Sequence, residues 1–209
     1  MDFSVWLAFA AASTALLVIP GPTLMMVLSY ALTQGKRVAV ASALGVALGD
    51  LIAMTLSVIG LGALFLASAV AFTVLKWIGA VYLVWMGVKM LRSAGTSTTA
   101  LMDKPAGEAP RKVFRDLATV TALNPKSNTF FIAFVPQFID ANVAFAPQAA
   151  ILIVTFVGIA AINALLFALA ANALRSRLTR ASVQAWLTRI GGGTLVLMGI
   201  LTATLRKTA

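Results

Sequence analysis

Cysteine and histidine are absent from this 209-residue chain. Without them there is no thiol redox chemistry, no disulfide and none of the usual zinc or copper sites, which are built from thiolate or imidazole. No metal and no cofactor is implied. A group that carries a proton must therefore be a carboxylate, a tyrosine or a lysine. Charge is scarce too, at 11% of residues, where a soluble domain has about 25%. Acid is scarcest, limited to Asp2, Asp50, Asp103, Glu108, Asp116 and Asp140. Apolar residues make up 61% of the chain instead. They recur in runs of about 20 residues from end to end, the mark of an integral protein of the lipid bilayer.

The net charge of +10 raises nucleic acid as a partner, and the positions of the charges exclude it. Basic residues sit in short loops between apolar runs, with no basic domain and no interleaved aromatic platform. Six spans are expected, at about 3–32, 38–63, 70–91, 114–139, 147–171 and 190–205. MDFSVWLAFAAAS carries no positive leader region, so it reads as the start of the first span and not as a cleaved signal peptide. RSAGTSTTALMDKPAGEAPRK, between spans three and four, is polar and rich in Ser, Thr, Gly and Pro, a flexible linker. Twelve of the sixteen Lys and Arg follow spans one, three and five, including Lys36, Arg37, Lys89, Arg92, Arg175 and Arg189. The loops after spans two and four hold none. Odd-numbered loops are then cytoplasmic and both termini lie outside, against the vote of Arg206 and Lys207. Trp6, Trp77 and Trp186 fall near span ends, where interfacial anchors belong.

The first apolar run contains LLVIPGPTLMMVL, residues 16–28. Pro20 and Pro22 each remove a backbone donor, and in lipid the freed carbonyls have no water to turn to. A matching interruption, Asn124-Pro125-Lys126, lies in span four. The halves also resemble each other. IGAVYLVWMGV (78–88) and IGGGTLVLMGI (190–200) agree at six of eleven positions, and Gly45…Asp50 matches Gly158…Asn163. Three spans per repeat is an odd number, so the halves insert in opposite directions. The expected fold is all-α: two inverted three-helix repeats, 1–91 and 114–209, joined by a cytoplasmic linker over 92–113, with broken helices in spans one and four. Many secondary transporters have this architecture and bind substrate where the breaks meet.

Taken together, Pro20-Gly21-Pro22, Gly45-Val-Ala-Leu-Gly49-Asp50, Asn124-Pro125-Lys126 and Phe131…Phe134…Pro136-Gln137-Phe138 resemble the lysine exporter and homoserine/threonine resistance family of bacterial amino-acid exporters. The likeness runs over essentially the whole chain, in order. Asp116 departs from it, standing where a glycine is expected. The resemblance implies a six-span inner-membrane exporter of amino acids or related small metabolites, driven by protons; with the loop charges, both termini are then expected to be periplasmic.

Asp50 is the one acidic residue at mid-span. A charge there must face a cavity, pair with a cation or be neutralised by a proton, which suits a proton-coupling group; the alternative is a structural aspartate capped by its neighbours. Asn163, its repeat mate, suits a site-lining amide. Lys126 lies deep in span four, whereas Lys76 is near enough to a span end to snorkel. Two readings of Lys126 stand: a structural ion pair with Asp50, or a partner for a substrate carboxylate beside the helix N-terminus after Pro125. Asn124 suits a helix cap. Pro20, Gly21, Pro22 and Pro125 read as unwound, substrate-facing backbone or as packing kinks. Tyr30, Gln34 and Gln137 are candidates for lining a path. Ala41, Gly45, Gly49 and Ala53 form a small-residue stripe for close helix contact, and Phe130, Phe134 and Phe138 read as core or lipid-facing.

The reading that follows is a proton-coupled exporter of a neutral or hydroxylated amino acid, since a cationic substrate favours two buried carboxylates and there is one. The alternatives are a metal-cation exporter on a similar scaffold, disfavoured by the absence of Cys and His, and a non-transport membrane scaffold. An enzyme lacks the groups it would need. A homodimer is open to so small a transporter.

Overall fold

A computed structural model describes residues 1–19, 21–93, 107–140, 142–171 and 181–204. Pro20, most of the linker with Asp103 and Lys104, Arg175, Arg177, Arg180, Arg206 and Lys207 lie outside the described residues, as does the side chain of Lys76. Every regular element among those described is helical. In chain order they are α1 (Phe3–Val18), α2 (Pro22–Gln34), a 3-10 turn (Lys36–Val38), α3 (Ala39–Ala67), α4 (Ala69–Ser93), α5 (Pro110–Ala122), α6 (Pro125–Phe134), a second 3-10 turn (Val135–Phe138), α7 (Phe145–Leu169) and α8 (Ala181–Thr204).

Lys36–Leu64 and Phe145–Leu169 are each long and apolar enough to cross a membrane. A third crossing results if α1 and α2, bent by 57° at the proline break, count as one span. The expected segments and the helices coincide to within a few residues, with two differences. The last helix begins at Ala181, nine residues before the apolar run, because Ser182–Arg189 extends it as a polar first stretch. The fourth segment is also not uniformly apolar. Arg111, Lys112 and Arg115 point outward from α5 while Val113 and Leu117 are fully buried, the two-faced pattern of an amphipathic helix.

Packing follows side-chain size. On α3, Val40, Leu44, Leu48, Leu51, Leu56 and Ile59 are exposed, a stripe at helical spacing that suits contact with lipid tails. The opposite face carries Gly45 and Gly49. A Cβ on Gly45 would lie 2.6 Å from the Phe114 carbonyl oxygen, and one on Gly49 would lie 2.6 Å from the Ala118 oxygen. Backbone therefore meets backbone, with the register rising on both chains, so α3 and α5 run parallel. The small-residue stripe does what its spacing predicts. A second close crossing joins α4 to α8. A Cβ on Gly87 would meet the Gly192 oxygen and Val196, and one on Gly192 would meet the Gly87 oxygen and Leu91. Here one register rises as the other falls, so α4 and α8 run antiparallel.

An aromatic cluster fills the space beyond the second break. Phe9, Phe130, Phe131, Phe134 and Phe156 are buried almost completely, with ring centroids 4.3 Å apart for Phe130–Phe134 and 4.8 Å for Phe131–Phe156. The phenylalanine stripe of α6 is core.

Adding one methyl group to α3 at Gly49 forces two backbones apart. Gly49→Ala should lower unfolding stability in detergent by about 1–3 kcal/mol through overpacking. Gly158→Ala on α7, where a Cβ would meet nothing within 4 Å, should be neutral or raise stability by up to about 1 kcal/mol through helix propensity. Thermal unfolding of the two purified variants beside the wild type checks this; equal midpoints would contradict the packing described.

Candidate functional site

The break in the first span leaves carbonyls without helical donors. Leu16 would accept from residue 20 and Val18 from residue 22, and both are proline, which has no N–H. α1 stops at Val18, Gly21 is extended, and α2 restarts with Pro22 at its first position. Side chains from the other half of the chain then cover the end of α1. The Lys126 ammonium donates to the Leu16 oxygen at 2.8 Å and to the Ile19 oxygen at 3.0 Å. The Asn163 amide donates to the Leu17 oxygen at 3.2 Å.

The break in the fourth segment is repaired locally and then tied to the first. Asn124 caps α6, its Oδ1 accepting from the Lys126 backbone N–H at 3.0 Å, the role expected of Asn before Pro. That capping draws the Lys126 N–H away from the Ala122 carbonyl, which accepts from Asn128 Nδ2 at 3.1 Å instead. Asn124 Nδ2 donates to Thr23 Oγ1 at 3.0 Å, and the Thr121 hydroxyl reaches the same oxygen at 3.5 Å. Thr23 is the second residue of α2, so the two breaks are stitched to each other.

Asp50 completes the group. It sits midway along α3, 1% exposed, and its Oδ1 has no hydrogen-bond partner. A buried carboxylate oxygen without a donor costs on the order of a few kcal/mol. Nor does an ion pair relieve it: among the described residues the ion pair seen is Glu108–Lys112, at the surface. Asp50, Asn163, Lys126, Asn124, Thr23 and Gly21 all line one cavity, whose remaining wall includes Leu16, Leu24, Val27, Val46, Ala160 and Ala164. Its volume is about 40 Å³. A water needs roughly 10–15 Å³ measured in this way, so the cavity admits a few waters and is too small for an amino acid.

Of the residues singled out in the sequence, Gly21, Asp50, Asn124, Lys126 and Asn163 are brought together here. Pro22 and Pro125 are exposed and outside the lining; each opens a helix and acts through the backbone it cannot bond. Tyr30, Gln34 and Gln137 do not line the cavity. Tyr30 is fully buried and donates to the Asp116 carboxylate. Gln34 Oε1 accepts from the Gly107 N–H at 2.7 Å, and Gln137 Nε2 donates to the Ala133 oxygen at 3.1 Å. Sequence reasoning passed over Thr23, Thr121 and Ser127, which also line the cavity. The signal was available: each is a hydroxyl residue within one turn of a break.

Comparison with known proteins bears on what this site serves. The profile of the LysE type translocator family matches residues 14–206. An uncharacterized membrane protein of Vibrio cholerae is 32% identical over 204 residues, 98% of each chain. A homoserine/homoserine lactone efflux protein of Salmonella typhimurium is 37% identical over 139 residues, 66% of each chain. A leucine efflux protein of Klebsiella pneumoniae is 33% identical over 137 residues, 66% of this chain and 64% of that one. No solved structure matches. Because the family match takes in both helix breaks and every residue of the cavity they enclose, the chain belongs to the LysE type translocator family, multi-span membrane transporters and not enzymes.

Proposed function

We propose that this chain exports a neutral or hydroxylated amino acid, or a related small metabolite, from the cytoplasm by proton antiport. One observation carries the reading: two helix breaks from opposite halves of the chain meet at a cavity that holds a buried carboxylate with an unpartnered oxygen. Broken backbone at membrane depth is tolerated where it lines a cavity, and half-helix ends there offer dipoles to a zwitterion. Asp50 exchanges a proton as the cavity faces one side and then the other. The relatives named for homoserine and leucine efflux fit an uncharged side chain, as does a cavity with one carboxylate.

The wider architecture in this reading is six spans in two inverted repeats of three, in a bacterial inner membrane, with both termini periplasmic. Three observations support it. Asp50 and Asn163, repeat mates by sequence, line the same cavity. Both first spans of the repeats are broken. The third helix of each half, α4 and α8, run antiparallel, as inversion requires.

Inside-out vesicles with an acidic lumen should accumulate labelled leucine or homoserine when they contain the protein. Asp50→Asn should bring gradient-driven accumulation down to the level of vesicles without it, at unchanged expression. Full accumulation by Asp50→Asn would remove Asp50 from proton coupling, and no accumulation by well-expressed wild type would overturn the amino-acid assignment.

Orientation has its own check, because a chain without cysteine accepts single probes cleanly. Asp2→Cys and Asn142→Cys, both at exposed positions, should react with a membrane-impermeant maleimide on spheroplasts, and the exposed Lys36→Cys should not. The reverse pattern would invert the topology.

A further inference from the structure

The cavity already contains an ammonium group and the oxygens that bind it. Lys126 Nζ rests on the Leu16 and Ile19 carbonyls, and Asn163 Nδ2 on that of Leu17. Asp50, buried in the same lining, keeps one carboxylate oxygen without a donor. In this conformation the cavity cannot take an amino acid, so binding must rearrange its lining. The group that holds the end of α1 in place is the one to move.

We propose that substrate enters by ion exchange: its α-ammonium takes the place of the Lys126 ammonium on the carbonyl end of α1, and the displaced Lys126 takes the substrate carboxylate. The inference rests on the export reading above and deepens it, because it names which part of an amino acid each group recognises. Leu16 and Ile19 offer carbonyl oxygens already spaced to accept from one ammonium, and the free Asp50 oxygen supplies an anion for the same cation. A zwitterion leaves nothing stranded. An amine without a carboxylate would drive Lys126 off its carbonyls and give it no anion in return. A carboxylate without an amine would draw Lys126 away and leave the α1 carbonyls bare, and each loss is that of a charge-assisted hydrogen bond. The exchange also ties occupancy to shape, since the α1–α2 break is held by Lys126 only while no zwitterion holds it.

The test compares whole and half ligands on purified, detergent-solubilised protein by isothermal titration. The probes are leucine with isoamylamine and 4-methylpentanoate, and homoserine with 3-aminopropanol and 4-hydroxybutanoate. For the amino acid that binds wild type, each half ligand should bind about 100-fold more weakly or worse, the loss of one or two charged hydrogen bonds. Lys126→Met removes the internal competitor and the carboxylate partner together. It should weaken the amino acid about 10- to 100-fold and make the amine half ligand bind more tightly than it does to wild type. That reversal is the signature of exchange, and a Lys126 that served only to hold the fold would not give it. Half ligands nearly as tight as the whole in wild type would overturn the proposal, even if the variant failed to fold. An amine that gains nothing in a folded Lys126→Met would overturn it as well. Should neither amino acid bind wild type, the amino-acid assignment falls, and the exchange with it.

Discussion

The end of α1 sets the problem that the rest of the cavity answers. Two prolines stop a helix among apolar side chains and strand its last carbonyls where water is scarce. A carbonyl left without a donor in such surroundings costs on the order of a kcal/mol or more, so donors must come from elsewhere in the chain. They come from the second half: Lys126 from α6 and Asn163 from α7. A long-range fold is thereby fixed by a local defect. The arrangement also explains how a lysine resides deep among apolar helices without a direct ion pair, since the ammonium donates to two carbonyls whose dipoles stabilise its charge. The consequence falls on Asp50, whose natural cation is otherwise engaged.

Much of this was legible in the sequence because it rests on residues that are conspicuous in an apolar chain. Pro22, Asn124-Pro125 and Asp50 mark their positions by chemistry alone, and Gly45 and Gly49 by four-residue spacing. Five of the expected cavity residues meet in the structure. What the sequence left open was how the donors would be shared. Lys126 was read as a partner either for Asp50 or for a substrate carboxylate. The carbonyls it touches belong to Leu16 and Ile19, residues with no polar side chain to draw attention. Backbone groups become ligands only where a helix stops, and where it stops was visible while which side chain would reach it was not.

Tyr30 and Gln34 stand apart from the cavity. Polar residues near the end of a span suggest a path for solute, yet both are buried. Each contacts the region that opens the second half: Tyr30 reaches Asp116 on α5, and Gln34 the N–H of Gly107 just ahead of it. Gly35, next in line, ends α2 with a φ of 72°, a left-handed turn that a side chain would resist. Asp116, an acid at the entry to the fourth segment, is therefore not isolated: its carboxylate accepts from the Tyr30 phenol.

The cavity's walls are joined in different ways. On one side α3 and α5 touch backbone to backbone through Gly45 and Gly49, a seam with no side-chain play in it. On the other, α1 meets α7 through side-chain hydrogen bonds, Trp6 to Thr155 and Asn163 to the Leu17 oxygen. The glycine seam is a rivet: any side chain larger than hydrogen at either glycine would have to displace a backbone oxygen, so a change in the cavity's size has to come from the rest of its lining.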